Sequence, residues 1–384
     1  MIYYDFYYLW AGGRLALDGA SPYDVLALSK AMHGAGWPAD LEPWGFVYPP
    51  WFLCICCLFG AMPFAWASFA WASFNFALSA GIVYLLADFV REHRSPKDRA
   101  MQRSSDIGLS LLAFLCFPAV IKTLLYGQSS LLLGFAILGG LIAWEKKHYF
   151  LSGFILAFSL FKPHLALVLY FFLFLWSLRT RNFKLILGGL LGLIAQALPS
   201  WIIYPQGFVE FLSVVPKTAA GSSSLSGATI SQLIGKIFQL NGLSQSISLT
   251  LLLASIMFIW RASSGPEGFS PRLARLSIVL SCISAPYAFM DSFSVLLLPY
   301  FVSLQNLSWE QPRRLVYMLC LFALLGIAVT ARIDWEPVAV VIPWLLLFFG
   351  VELNIPIAIR NFVFSGIRLG SYLKIVTEAN RKRY

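Results

Sequence analysis

Phe183-Lys184-Leu185-Ile186-Leu187-Gly188-Gly189-Leu190-Leu191-Gly192-Leu193-Ile194-Ala195-Gln196-Ala197-Leu198-Pro199-Ser200-Trp201-Ile202-Ile203 runs without a charge after Lys184. That is the length a helix needs to cross the roughly 30 Å hydrocarbon core of a bilayer. Only a helix satisfies its own backbone in that medium, and the in–out alternation of a barrel strand is missing. Working outward, comparable apolar runs fall at about 49–62, 66–90, 107–121, 129–144, 149–161, 163–178, 246–260, 273–287, 292–304, 313–331 and 335–352. Pro49-Pro50 and Met62-Pro63 frame the first of these, which reads as a re-entrant or interfacial helix. The remaining runs predict about eleven crossings, several of them short and dependent on shelter within a bundle. The fold class is all-α: a polytopic integral membrane protein with short interfacial helices. A single membrane domain spans 1–352 and a basic tail follows over 353–384.

Composition agrees, with 59% hydrophobic and only 12% charged residues. Soluble domains carry about 25% charge, so soluble enzymes and nucleic-acid binders are set aside despite a net charge of +10. In a membrane protein that charge is read loop by loop. The connections near 91–106, 145–148, 179–184, 261–275 and 305–314, with the tail, carry 21 Lys and Arg. Residues 1–47 and the connections near 122–128, 162, 204–245, 288–291 and 332–336 carry seven. The first set is therefore assigned to the cytoplasm and the second to the exoplasmic side of the cell (plasma or inner) membrane. The long exoplasmic segments are 1–47 and 204–245, the latter holding a Gly/Ser-rich stretch from Ala219 to Ser224. The tail from Arg360 to Arg383 suits anionic headgroups. Cys54, Cys56, Cys57, Cys116, Cys282 and Cys320 all sit in apolar runs without metal spacing and read as packing residues. No basic n-region or apolar h-region is visible around Asp5, so no signal peptide is expected in these residues.

Ionisable groups in or beside spans are costly and carry function by default. Asp5, Lys122, Lys162, His164, Asp291, Arg332, Asp334 and Glu336 all fall toward the exoplasmic end. Such a set suits transfer chemistry, in which a cation neutralises a phosphate leaving group and a carboxylate takes a proton from an incoming hydroxyl. It suits equally a proton-coupled lipid or glycan transporter or flippase. A transporter is expected to show repeat-related halves with broken helices, and no convincing internal repeat is found.

Several motifs occur in order: Asp5-Phe6 with Trp10-Ala11, Gly19-Ala20-Ser21-Pro22-Tyr23, Tyr48-Pro49-Pro50, Tyr126-Gly127-Gln128, Phe161-Lys162-Pro163-His164, and Ser284-Ala285-Pro286-Tyr287 with Asp291 and Leu296-Leu297-Leu298-Pro299. Over about residues 5–300 this resembles glycosyltransferase family 87 of the GT-C superfamily. The resemblance implies a GT-C-like helical bundle that moves a sugar, typically mannose, from a polyprenyl-phosphate-linked donor to a lipid-linked or glycan acceptor at the outer membrane face. It implies no nucleotide and, in many such enzymes, no metal; the sequence offers no carboxylate pair at metal-ligand spacing, and no cofactor is expected beyond the donor. Relatives carry a transmembrane helix just before the Asp-Phe pair, and restoring one would give twelve crossings. They also carry a histidine where this chain has Tyr287.

Read with the resemblance, Asp5 is the expected general base, although an Asp near a helix start also serves as a cap. Asp291 is the other candidate for the base, or a ligand for sugar hydroxyls. Lys162, Lys122 and Arg332 are the expected donor-phosphate contacts, with a snorkelling lysine the competing reading for Lys162. Gln128, His164, Tyr7 and Tyr287 are the expected sugar or acceptor contacts. Against these stand an interhelical hydrogen bond for Gln128, a helix-end role for His164, and aromatic-belt anchoring for Tyr7.

Overall fold

The computed structural model describes residues 4–92, 103–115, 117–213, 244–265, 268–286, 290–296, 298–299 and 302. Its helices, in chain order, are α1 (Tyr4–Leu17), α2 (Val25–Gly34), α3 (Leu53–Gly60), α4 (Phe64–Glu92), α5 (Arg103–Leu115), α6 (Pro118–Tyr126), α7 (Ser130–Glu145), α8 (Tyr149–Ala157), α9 (Leu167–Thr180), α10 (Lys184–Ile203), α11 (Ser244–Ala262) and α12 (Pro271–Ser284). Tight helical turns lie at Pro50–Phe52, Pro163–Leu165 and Met290–Leu296. Among the described residues there is no strand. The Gly/Ser-rich stretch, the last two expected crossings and the basic tail lie outside the described residues.

Among the described residues three helices are long and apolar enough to cross a membrane: Phe64–Phe89 within α4, α10, and Gln245–Ala262 within α11. The count of about eleven is not reached by length among the described residues, and the chain shows why. Proline interrupts one of the expected runs, and another ends early. Phe117 turns extended ahead of Pro118, splitting 107–121 between α5 and α6. The run at 149–161 yields only the nine residues of α8 before the break at Lys162-Pro163, about 14 Å of helix. The segment framed by Pro49-Pro50 is likewise short: α3 has eight residues, about 12 Å, and packs along α1.

The bundle turns its largest apolar side chains outward as well as inward. Trp66, Phe69, Phe76 and Tyr84 on α4 are exposed, as are Leu187, Leu190, Leu191, Ile194 and Leu198 on α10. Water does not tolerate faces of that size; lipid does. By contrast α7 is buried on nearly every side from Ser130 to Trp144, so a sixteen-residue helix serves as the central column without meeting lipid.

The expected two-sided sorting of loops is visible in the contacts. At one end Lys146 Nζ lies 2.8 Å from Asp88 and 2.9 Å from Glu92. Arg275 faces Glu145 at 3.9 Å. Arg179 donates to Ser263 and Ser264 at the end of α11. The motif residues gather at the opposite end, held by a different set of bonds.

Candidate functional site

The site is built around a four-residue turn, Gly127-Gln128-Ser129-Ser130. Helix α6 ends because Gly127 adopts a left-handed conformation, φ 69°, and returns its N–H to the Thr123 carbonyl; glycine is the residue that does this without steric cost. The Gln128 N–H donates to the same carbonyl at 3.1 Å. Ser129 then stands at the N-cap of α7 but makes no capping bond. Its hydroxyl pairs instead with the Tyr48 hydroxyl at 3.3 Å. The Trp71 indole N–H donates to the Gly127 carbonyl at 2.8 Å, and the Ser294 hydroxyl donates to the Ser130 carbonyl. Lys162 Nζ donates to Ser130 Oγ at 3.1 Å. The segment before α3, helix α4, the break between α8 and α9, and the turn containing Asp291 thus all converge on these four residues.

Packing explains why they hold their places. The Phe161 ring stacks on Phe52 with centroids 4.4 Å apart and meets Tyr48 at 6.3 Å. Lys162 is thereby carried into the bundle end on an aromatic base, only partly open to solvent. Gln128 is 9% exposed, and its side-chain oxygen has no hydrogen-bond partner among the described residues. Leaving a buried acceptor unmade costs on the order of 1–3 kcal/mol, which marks the position as one where a ligand hydroxyl would be welcome.

A second wall is α1. Asp5 lies in its first turn, where a carboxylate complements the helix dipole. The Tyr4 ring meets Tyr126 at 6.3 Å and Trp37 at 5.3 Å, so the Asp5 end of α1 lies against the end of α6. Lys122 Nζ sits 5.7 Å from the Tyr126 ring centroid. Burial holds the Tyr8 phenol above its ordinary pKa, and the Asp5 charge adds to that against the opposing Trp44 N–H bond. Tyr7 is buried, its ring 4.1 Å from Phe64 and 5.4 Å from Trp37, with its hydroxyl donating to the Ala35 carbonyl at 3.5 Å. That is a packing position within the aromatic cluster.

His164 follows Lys162 in the short turn ahead of α9. Burial, and then the Lys162 charge, lower its pKa to about 3, so the imidazole is neutral at physiological pH. An unfolded histidine protonates near its ordinary pKa of 6.5, so below that pH the unfolded chain takes up a proton the folded one refuses. His164 therefore weakens the fold as pH falls through this range and is silent above it. Its ring carbon NMR signals should not move between about pH 5 and about pH 8, the range in which an ordinary histidine titrates; a transition there would show an imidazole open to water.

Of the other expected residues, Asp291 lies in the turn Met290–Leu296 whose Ser294 reaches the Ser130 carbonyl. Tyr287 and Arg332 lie outside the described residues. Among the described residues no three His, Cys, Asp or Glu side chains gather as a metal group. Sequence reading missed Tyr48, Ser129, Ser130, Ser294 and Glu210. Four of these are neutral and escape a search for charge. Glu210 reads as one more loop acid until Ser21 Oγ, 2.6 Å away, and Tyr204 Oη, 2.9 Å away, are seen to donate to its carboxylate.

The model of glycosyltransferase family 87 matches residues 46–286, a stretch that contains Tyr48, the turn at 127–130, Lys162 and His164. The chain belongs to glycosyltransferase family 87. With its outward apolar faces, this makes it a membrane glycosyltransferase. Asp5 and Asp291 lie outside the matched stretch. No curated protein and no solved structure matches the chain.

Proposed function

We propose that this family 87 protein is a GT-C-type enzyme that transfers a hexose, with mannose the first candidate, from a polyprenyl-phosphate carrier to a lipid-linked or glycan acceptor. The reaction takes place at the exoplasmic face of the plasma or inner membrane and inverts the anomeric centre. The observation that carries this reading is the convergence of Lys162, Ser130 and a Gln128 oxygen without a partner among the described residues on one turn, at the end of the bundle that also holds Asp5 and Lys122.

The chemistry asks for those groups. As the acceptor oxygen attacks the anomeric carbon, its proton passes to a carboxylate. The bond from that carbon to the phosphate oxygen breaks, and the electron pair leaves with the polyprenyl phosphate. Asp5 is the assigned base, and Asp291 is the other carboxylate for that task or a ligand for sugar hydroxyls. The leaving phosphate gains charge in the transition state, where a fixed cation stabilises it most. Lys162, already oriented by Ser130, fits that role, with Lys122 and Arg332 as further donor-phosphate contacts. Gln128, His164 and Tyr287 remain the assigned sugar and acceptor contacts, while Tyr7 leaves that set as a packing residue whose hydroxyl is taken by the Ala35 carbonyl; a neutral His164 would bond a hydroxyl rather than a phosphate. The donor carries its own leaving group, so the reaction is written without nucleotide or metal.

Lys162→Gln tests the assignment. A hydrogen bond to a charged group contributes about 1.5–3 kcal/mol, so kcat/KM for the donor should fall about 10- to 100-fold, while detergent-solubilised protein stays folded. Unchanged donor kinetics would remove Lys162 from the site. NMR of the product should show the anomer opposite to that of the donor, and retention would overturn the single-displacement scheme.

A further inference from the structure

The segment after α10 is tied to the motif end by a carboxylate that the transfer chemistry does not use. Glu210 accepts a hydrogen bond from Ser21 Oγ at 2.6 Å and another from Tyr204 Oη at 2.9 Å. Burial, and then Glu210 itself, raise the Tyr204 pKa, so its phenol stays protonated as a donor. Ser21 opens the Ser-Pro-Tyr turn, and its Oγ also accepts from the Tyr23 N–H at 3.2 Å. Tyr23 is buried between Phe46 and Phe211 and donates its hydroxyl to the Tyr48 carbonyl at 2.9 Å. Tyr48 in turn pairs with Ser129, the residue before the Ser130 that holds Lys162.

We infer that Glu210 is a positioning residue of the transfer site: it clamps the chain after α10 onto the Ser21-Pro22-Tyr23 turn and, through Tyr23 and Tyr48, fixes the Ser129-Ser130 turn beside Lys162. The inference rests on the reading of Lys162 as the donor-phosphate contact. Three features favour an ordered clamp over an incidental surface contact. Both carboxylate oxygens are engaged, each by a different segment, and one donor lies 189 residues away in sequence. The Ser21 hydroxyl serves two bonds at once, fixing its turn and the carboxylate together. The connection from Tyr23 to Ser129 runs through buried hydrogen bonds, so displacement at Ser21 is passed along packed groups.

Proximity alone does not establish coupling; a double-mutant cycle does. In the full-length protein in lipid nanodiscs, Glu210→Ala should raise the KM for the polyprenyl-phosphate sugar about 5- to 10-fold and lower kcat with it, because the cation it positions holds the phosphate in the ground state and more strongly in the transition state. Ser21→Ala, which removes the bond to Glu210 and the one from the Tyr23 N–H but little volume, should act in the same direction. Glu210→Gln keeps the acceptor oxygen and should restore most of the donor affinity. In a Lys162→Gln background Glu210→Ala should have no further effect on donor KM. A Glu210→Ala variant that melts earlier but keeps its donor KM would overturn the inference, as would a rise confined to the acceptor KM or effects that simply multiply in the double variant. If Lys162→Gln alone leaves donor kinetics untouched, the phosphate assignment fails first, which separates the two claims.

Discussion

Asp5→Asn should lower turnover about 10²-fold or more, the loss expected when a positioned general base is removed, while leaving donor KM close to the original. The substitution conserves shape and removes only the capacity to hold a proton. Asp5 sits in the first turn of α1, so a role confined to the helix dipole would cost about 0.3–1 kcal/mol of stability and leave kcat alone. The two roles therefore separate in one experiment that measures kcat and the unfolding midpoint on the same preparation. Asp291→Asn provides the comparison. If it, and not Asp5→Asn, abolishes turnover, the base belongs to the turn Met290–Leu296 and Asp5 keeps only its helix-end role.

Gly188→Ala should be among the most damaging small substitutions in the bundle. Helices α8 and α10 pack so closely that a Cβ at Gly188 would collide with the Phe150 carbonyl, and one at Gly153 with the Leu185 carbonyl. A Cβ at Gly192 would meet the Ala157 methyl at 2.7 Å. This is the small-residue helix contact found where lipid supplies no hydrophobic drive and backbones must touch. Because the obstacle is backbone, no side chain can rotate away, and the loss should exceed the roughly 1–3 kcal/mol of ordinary overpacking. The damage should reach the site, since the chain leaving α8 leads directly to Lys162. Gly189→Ala is the control. Its Cβ would lie 3.7 Å from the nearest atom, the Gly153 carbonyl oxygen, and alanine's better helix propensity of about 1 kcal/mol should leave it neutral or more stable. Thermal unfolding in detergent reads both, and equal behaviour of the two variants would contradict the packing described.

The apolar run at 183–203 foretold α10 almost to the residue, because lipid imposes a length and forbids charge whatever the helix packs against. Loop charges likewise sorted Lys146 and Arg275 to one end and Lys162 to the other. Hydropathy could not see that α7 is interior, since a helix buried in protein and one facing lipid are equally apolar. It placed the break at Lys162-Pro163, between the expected runs 149–161 and 163–178, but not the one at Phe117-Pro118, inside the run 107–121. Within the site, Lys162 was legible because an ammonium between apolar runs is expensive. Ser130, which orients it, was not, because a serine in a helix bonds its own backbone at little cost. Glu210 needed the fold itself, for its partner Ser21 lies 189 residues away in sequence.

The most direct test reconstitutes the full chain in liposomes with a radiolabelled polyprenyl-phosphate mannose and acceptor lipids extracted from cells lacking the gene. The account predicts a labelled glycolipid carrying a new glycosidic bond, formed by the unaltered protein and lost in Asp5→Asn. Labelled donor that crosses the bilayer with no new glycosidic bond would contradict it and show a transporter instead.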